Sequence, residues 1–188
     1  SILGDRVVYD PQSPVKPLLF SATGSRAREL VYVVNLSEAK KLTQIDDLEG
    51  IKQFFFQKEG AAVLVLKMGA KGALVALPDG TEQQIPVYQT AQVWPIGSGD
   101  IFAATFAYYW FKNSDAIAAA HKASWLTACY CSSKSFQFCV SGSDQSITPL
   151  AIANVPTQKI YLAGPFFTYA ERWLIDQVRT IFKEMNLN

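Results

Sequence analysis

An α/β domain with a mostly parallel sheet between two layers of helices is the fold class this sequence predicts. Three observations carry the prediction. Short strand-like runs alternate with helical stretches from residue 1 to about 150. One of these runs, Leu30 to Val34, is apolar at every position, the pattern of a parallel strand buried on both faces. A late antiparallel hairpin turns at Pro78-Asp79-Gly80.

The elements follow in order. Arg6 to Tyr9 is a short strand closed by Asp10-Pro11, and Leu30 to Val34 is the buried strand. Ser37 to Leu42 begins a short helix; Asp46 to Lys58 forms another, with Leu48, Ile51, Phe54 and Phe55 on one side. Ala62 to Lys67 and Ala73 to Leu77 are strands flanking Gly69 and Gly72, and Thr81 to Tyr88 returns as a third. A long apolar helix follows Gly99, and another runs from Ser114 to about Ser132. Asn154 to Thr157 reads as a linker. Beyond it lie a strand at Lys159–Leu162, a turn at Ala163-Gly164-Pro165 and a helix from Thr168 to about Met185.

Composition excludes several classes of function. The 188 residues, 49% of them hydrophobic, suffice for a sizeable core. A formal net charge of +1 with mixed signs offers no basic field for nucleic acid. No apolar run reaches membrane-spanning length and no signal peptide opens the chain, so the expected location is cytoplasmic, without membrane partners. Cys129, Cys131 and Cys139, with His121 the single histidine, match no standard zinc spacing and read as reduced thiols.

The chemistry points to Gly97-Ser98-Gly99-Asp100. Two glycines allow a tight turn and close backbone approach to a ligand. The helix that follows presents unpaired amides and the positive end of its dipole, which together make an anion seat. Asp100 falls in the first turn, where it can cap the helix or take a proton from a hydroxyl attacking a phosphate. The alternative reading is a turn with an acidic helix start. Asp10, Asn35 and Asp100 all stand at or just after strand ends, where ligands of α/β sheets bind.

Trp94-Pro-Ile-Gly-Ser-Gly-Asp-Ile-Phe-Ala-Ala-Thr-Phe106 resembles the C-terminal signature of the PfkB (ribokinase-like) carbohydrate kinases. Val7-Val-Tyr-Asp-Pro11 resembles the family's strand ending in Asp-Pro, and Asn35-Leu-Ser-Glu38 its Asn-x-x-Glu motif. Leu64-Val-Leu-Lys-Met-Gly-Ala-Lys-Gly-Ala-Leu-Val75 resembles its nucleotide-binding hairpin. The resemblance implies a ribokinase-like three-layer fold in which residues 1–150 form the C-terminal part of the kinase domain. It implies ATP and Mg2+ as cofactors and a sugar or nucleoside as acceptor. Asp100 would be the general base, and the amides of Gly97, Ser98 and Gly99 the anion hole. Asn35 and Glu38 would position magnesium and the phosphates, Glu38 indirectly through water. Lys67, Gly69 and Gly72 would line the nucleotide, Gly142 would help close the adenine pocket, and Asp10 would face the substrate. A turn asparagine at Asn35 with Glu38 as the first acid of an ordinary helix, and a plain hairpin for Gly69 and Gly72, remain open.

Two departures qualify this resemblance. The family signature usually opens with an acid and a threonine, where this chain has Trp94 and Pro95. The family's N-terminal half, with the lid and most sugar contacts, has no counterpart here; apolar surface it would leave uncovered favours self-association into a homo-oligomer.

After a linker at 151–158, residues 159–188 resemble the opening of the nucleoside 2-deoxyribosyltransferases, through Tyr161-Leu-Ala-Gly-Pro-Phe-Phe167 and Glu171-Arg172. There Gly164 would let a nucleoside approach closely. A generic strand and amphipathic helix is the alternative. Besides the kinase, two further functions are therefore open: a deoxyribosyltransferase-related protein with a kinase-like scaffold, and a non-catalytic nucleotide-binding half-domain.

Overall fold

A computed structural model of the chain describes residues 1–12, 16–90, 94, 96–133, 148–150, 162, 164–165 and 167–184. It divides into two compact units, Ser1–Leu150 and Ala151–Asn188.

The first unit is built on one five-stranded sheet in sequential order. Its strands are β1 (Leu3–Tyr9), β2 (Arg26–Asn35), β3 (Ala61–Lys67), β4 (Ala73–Ala76) and β5 (Glu82–Ile85). β1, β2 and β3 run parallel, while β4 and β5 add an antiparallel hairpin. The helices are α1 (Leu36–Thr43), α2 (Leu48–Gln57), α3 (Ser98–Asn113) and α4 (Ala116–Ser133).

Strand alternation sorts the core into two layers. Leu30, Tyr32 and Val34 of β2, with Leu64 and Leu66 of β3, pack beneath Ala39 of α1 and Ile51 and Phe55 of α2. Val31 and Val33, with Val63 and Val65, face Phe102, Phe106 and Trp110 of α3. Those three aromatics recur every fourth residue, so one stripe of α3 meets the sheet. Each such buried side chain stabilises the fold by roughly 1.5–3 kcal/mol. Ala116, Ala119, Ala120 and Ala123 of α4 complete this layer. A mixed α/β three-layer domain is thus what the residues build, as the sequence predicts.

The boundaries differ from the periodicity for identifiable reasons. β2 begins at Arg26, four residues before the apolar run, because its polar start pairs in register with β1: Leu3 opposite Arg26 and Arg6 opposite Glu29. β5 ends at Ile85 because Pro86 has no N–H for the ladder. Tyr88 then meets Pro149 in an isolated antiparallel bridge. α4 starts after Asp115, whose carboxylate accepts the Ala118 N–H at 2.9 Å.

In the second unit, α5 (Tyr169–Glu184) is amphipathic. Its start is locked by Thr168 and Glu171: Glu171 accepts the Thr168 N–H at 2.8 Å, and Thr168 Oγ1 accepts the Glu171 N–H at 3.3 Å. The strand expected at 159–162 falls mostly outside the described residues.

Candidate active site

The site lies where β1 and β3 end, beneath the start of α3. Val8 and Val65 point toward α3, so the period of two sends Asp10 and Lys67 to the same side. Lys67 Nζ reaches Asp10 Oδ2 at 3.0 Å, an ion pair in which both side chains are largely buried (17% and 12% exposed). Asp10 Oδ1 is buried without a hydrogen-bond partner among the described residues.

Pro11 is buried, and the Gln12 N–H donates to the Asp10 carbonyl at 2.9 Å, a tight turn that folds the Gln12 side chain back over Asp10. Gln12 Nε2 donates both to Asp10 Oδ2 at 3.1 Å and to Asp100 Oδ1 at 2.5 Å. A carboxamide has two N–H donors and no charge, which suits a position between two carboxylates. Lys67, Asp10, Gln12 and Asp100 thus form one chain of contacts from β3 to α3. Gln12 is the member that sequence reasoning did not single out, since no motif marks it.

α3 opens on Gly97, whose φ of 79° lies in the left-handed region, and no side chain of the described residues caps the helix there. Its Ile101 N–H bonds to the Gly97 carbonyl at 3.0 Å, so the helix is regular from its first turn. Gly99 faces the ammonium of Lys67: a Cβ placed there would stand 3.6 Å from Nζ. Asp100 is exposed in the same turn. The amides at a helix start lack intrahelical acceptors, and here a lysine adds a full positive charge beside them. The loop before Gly97 is held by α4. Tyr130 Oη donates to the Ile96 carbonyl at 2.8 Å, and burial pushes the Cys131 thiol up, opposed by a hydrogen bond from the Trp94 backbone.

The remaining expected residues are placed as follows. Asn35 sits opposite Lys67 in the parallel register. It caps α1: its Oδ1 accepts the Glu38 N–H at 2.8 Å, and Glu38 Oε2 accepts the Asn35 N–H at 3.3 Å. Both residues thus have a structural task, and no hydrogen bond or ion pair joins Glu38 to Lys67, Asp10 or Asp100 among the described residues. Gly72 (φ 83°) is required by packing, because a Cβ there would stand 2.0 Å from the Ile85 carbonyl oxygen. A Cβ at Gly69 (φ 57°) would meet nothing within 4 Å among the described residues, and the residue is exposed. Gly142 lies outside the described residues. Gly164 belongs to the second unit, where its Cβ would come within 3.1 Å of Ile175.

Residues 4–142 match the pfkB family of carbohydrate kinases, so the chain belongs to that family. Among solved structures it is similar to the ribokinase of Arabidopsis thaliana complexed with ribose and ATP: 24% identity, TM-score 0.50, covering 56% of this chain and 35% of that one. It is also similar to an E. coli protein assigned provisionally as ribokinase II, in complex with ATP and Mg2+: 22% identity, TM-score 0.50, covering 54% and 32%. At such identities these likenesses establish the fold. The chain spans about a third of the length of the solved structures it matches. No curated protein matches it. Among the described residues, no helix is long and apolar enough to cross a membrane.

Proposed function

We propose that residues 1–150 form the C-terminal part of a kinase domain that transfers a phosphoryl group from ATP to a hydroxyl of a sugar or nucleoside. The observation that carries this reading is the meeting of Lys67, Asp10, Gln12 and Asp100 at the open start of α3. Phosphoryl transfer needs charge neutralisation and an aligned nucleophile more than covalent help. The amides of Gly97, Ser98 and Gly99 supply the first, reinforced by Lys67. Asp100, exposed and held on one oxygen by Gln12, supplies the second. Its carboxylate takes the hydroxyl proton as the hydroxyl oxygen bonds to the γ-phosphorus. The bond from that phosphorus to the β–γ bridging oxygen breaks, and the electron pair leaves on ADP.

Magnesium fits the oxygen donors present. Asp10 carries a buried oxygen without a partner among the described residues, Asp100 is exposed, and both are hard carboxylate ligands. Magnesium at such sites is held chiefly by phosphate oxygens and water, so it needs few protein ligands. When bound, it neutralises phosphate charge. Asn35 and Glu38 would orient it through water while keeping their cap on α1, and Gly69 and Gly142 would border the nucleotide. Residues 151–158 are then a linker, and 159–188 the opening of a nucleoside 2-deoxyribosyltransferase-like unit with Gly164 in its loop. The contact of Gly164 with Ile175 supplies a packing reason for that glycine as well.

The test is transfer followed by phosphorus NMR, with MgATP and a panel of pentoses, hexoses and nucleosides. A phosphate ester of one acceptor is expected, with Asp100→Asn slowing its formation by about 10²–10⁴-fold. Transfer at an undiminished rate by Asp100→Asn would remove the base assignment, and absence of any ester would remove the activity.

A further inference from the structure

Gly97 is the hinge of the anion seat, and its geometry is set from outside the seat by α4. Tyr130 is buried, 6% exposed, and its phenol donates to the Ile96 carbonyl oxygen at 2.8 Å. That oxygen and the Gly97 N–H belong to one peptide unit. In a planar trans peptide the C=O and N–H point in opposite directions. A carbonyl fixed toward Tyr130 therefore fixes the Gly97 N–H away from α4. No acceptor takes that N–H among the described residues. The same phenol stands 3.0 Å from where a Gly97 Cβ would be, so it also enforces glycine at the left-handed turn. We propose that Tyr130 is a positioning residue: it aims the Gly97 amide at the transferred phosphate without touching the ligand.

This inference rests on the kinase reading of the seat, and its test separates the two. Removing the hydroxyl frees the 96–97 peptide to rotate about the flexible glycine. The seat then loses one aligned donor, while the amide of Gly99 and the charge of Lys67 remain. With no acceptor present, Tyr130→Phe should weaken MgATP binding about tenfold, as expected for one hydrogen bond to a charged group.

The decisive experiment follows the Gly97 and Gly99 amides by 15N–1H NMR during titration of the full chain, wild-type and Tyr130→Phe, with MgATP in the absence of an acceptor. Both amides should shift in the wild type; in Tyr130→Phe, Gly99 should still shift and Gly97 should not. A Gly97 shift that survives in the variant overturns the proposal. So does a wild type in which Gly99 responds and Gly97 does not, and both leave the phosphate seat standing. Loss of both responses in the variant makes Tyr130 a general structural support and likewise overturns it. If neither amide responds in the wild type at millimolar MgATP, the phosphate seat itself fails and the proposal falls with it.

Discussion

Replacing Gly72 by alanine separates the scaffold from the site. Gly72 sits at φ 83° and ψ −137°, a region that residues with a Cβ enter at a cost of about 1–3 kcal/mol. An added Cβ would stand 2.0 Å from the Ile85 carbonyl oxygen and 3.1 Å from its carbon. Both are backbone atoms of a paired strand, with Ala73 opposite Ile85. The hairpin must open by more than an ångström, and overpacking of this kind costs about 1–3 kcal/mol. The sum is about 4 kcal/mol, a large share of the ~5–15 kcal/mol of a typical domain. Gly69→Ala is the internal control, since its φ is 57° and no atom of the described residues lies within 4 Å of its Cβ position; its cost is about 1 kcal/mol. Urea unfolding by circular dichroism reads both. With a slope of about 2 kcal/mol per molar, the midpoint should fall by about 2 M for Gly72→Ala and about 0.5 M for Gly69→Ala. Equal shifts would refute the packing argument, and Gly72 would return to the candidate ligand contacts.

Three further outcomes follow from other parts of the fold. Arg6 stacks 4.0 Å over the Trp110 ring, donates to the carbonyls of Trp110 and Phe111 at 3.3 Å each, and pairs with Glu29. Arg6→Leu should cost about 2 kcal/mol in urea, nearly all from the ring and carbonyl contacts, because the ion pair with a 40%-exposed Glu29 is screened; a loss below about 0.5 kcal/mol would contradict this. Hydrogen bonds to Glu49 and then Glu82 hold the Lys52 ammonium above the ordinary lysine range. Its contribution is fully present below the unfolded lysine pKa of about 10.4 and is lost as pH rises through the higher folded value, so the stability gap between wild type and Lys52→Met should close at strongly alkaline pH; a gap that widens there would be the wrong sign. Burial raises the Cys131 thiol, which should react with iodoacetamide more slowly than an unstructured cysteine at pH 8, and peptide mass spectrometry giving equal rates would contradict that.

Much of the fold was legible because it rests on periodicity. The apolar run Leu30–Val34 carries the two-sided burial that the structure assigns it, and Pro78-Asp79-Gly80 turns the hairpin between β4 and β5. The first residues of β2 were not legible, since Arg26 to Glu29 gain their strand from pairing with β1 rather than from burial. In the site, Gly97 to Asp100 stood out through turn chemistry and the helix that follows. Pairing of Lys67 with Asp10 could be traced only to their shared strand parity with Val65 and Val8, and it needs the parallel sheet to bring the two strand ends together. Gln12 and Tyr130 carry no local signal at all. Their roles come from contacts 88 and 34 residues away in sequence. Asn35 and Glu38 show the converse: a motif read for ligand chemistry is also a complete helix cap.

The most direct test of the phosphate seat is calorimetric titration of the chain with MgATP, without an acceptor, beside Lys67→Met and Asp100→Asn. Such a seat implies binding by the wild type, little change for Asp100→Asn, and weakening of about tenfold or more when the Lys67 charge beside Gly99 is removed. No binding at millimolar nucleotide, or unchanged affinity in Lys67→Met, would contradict it.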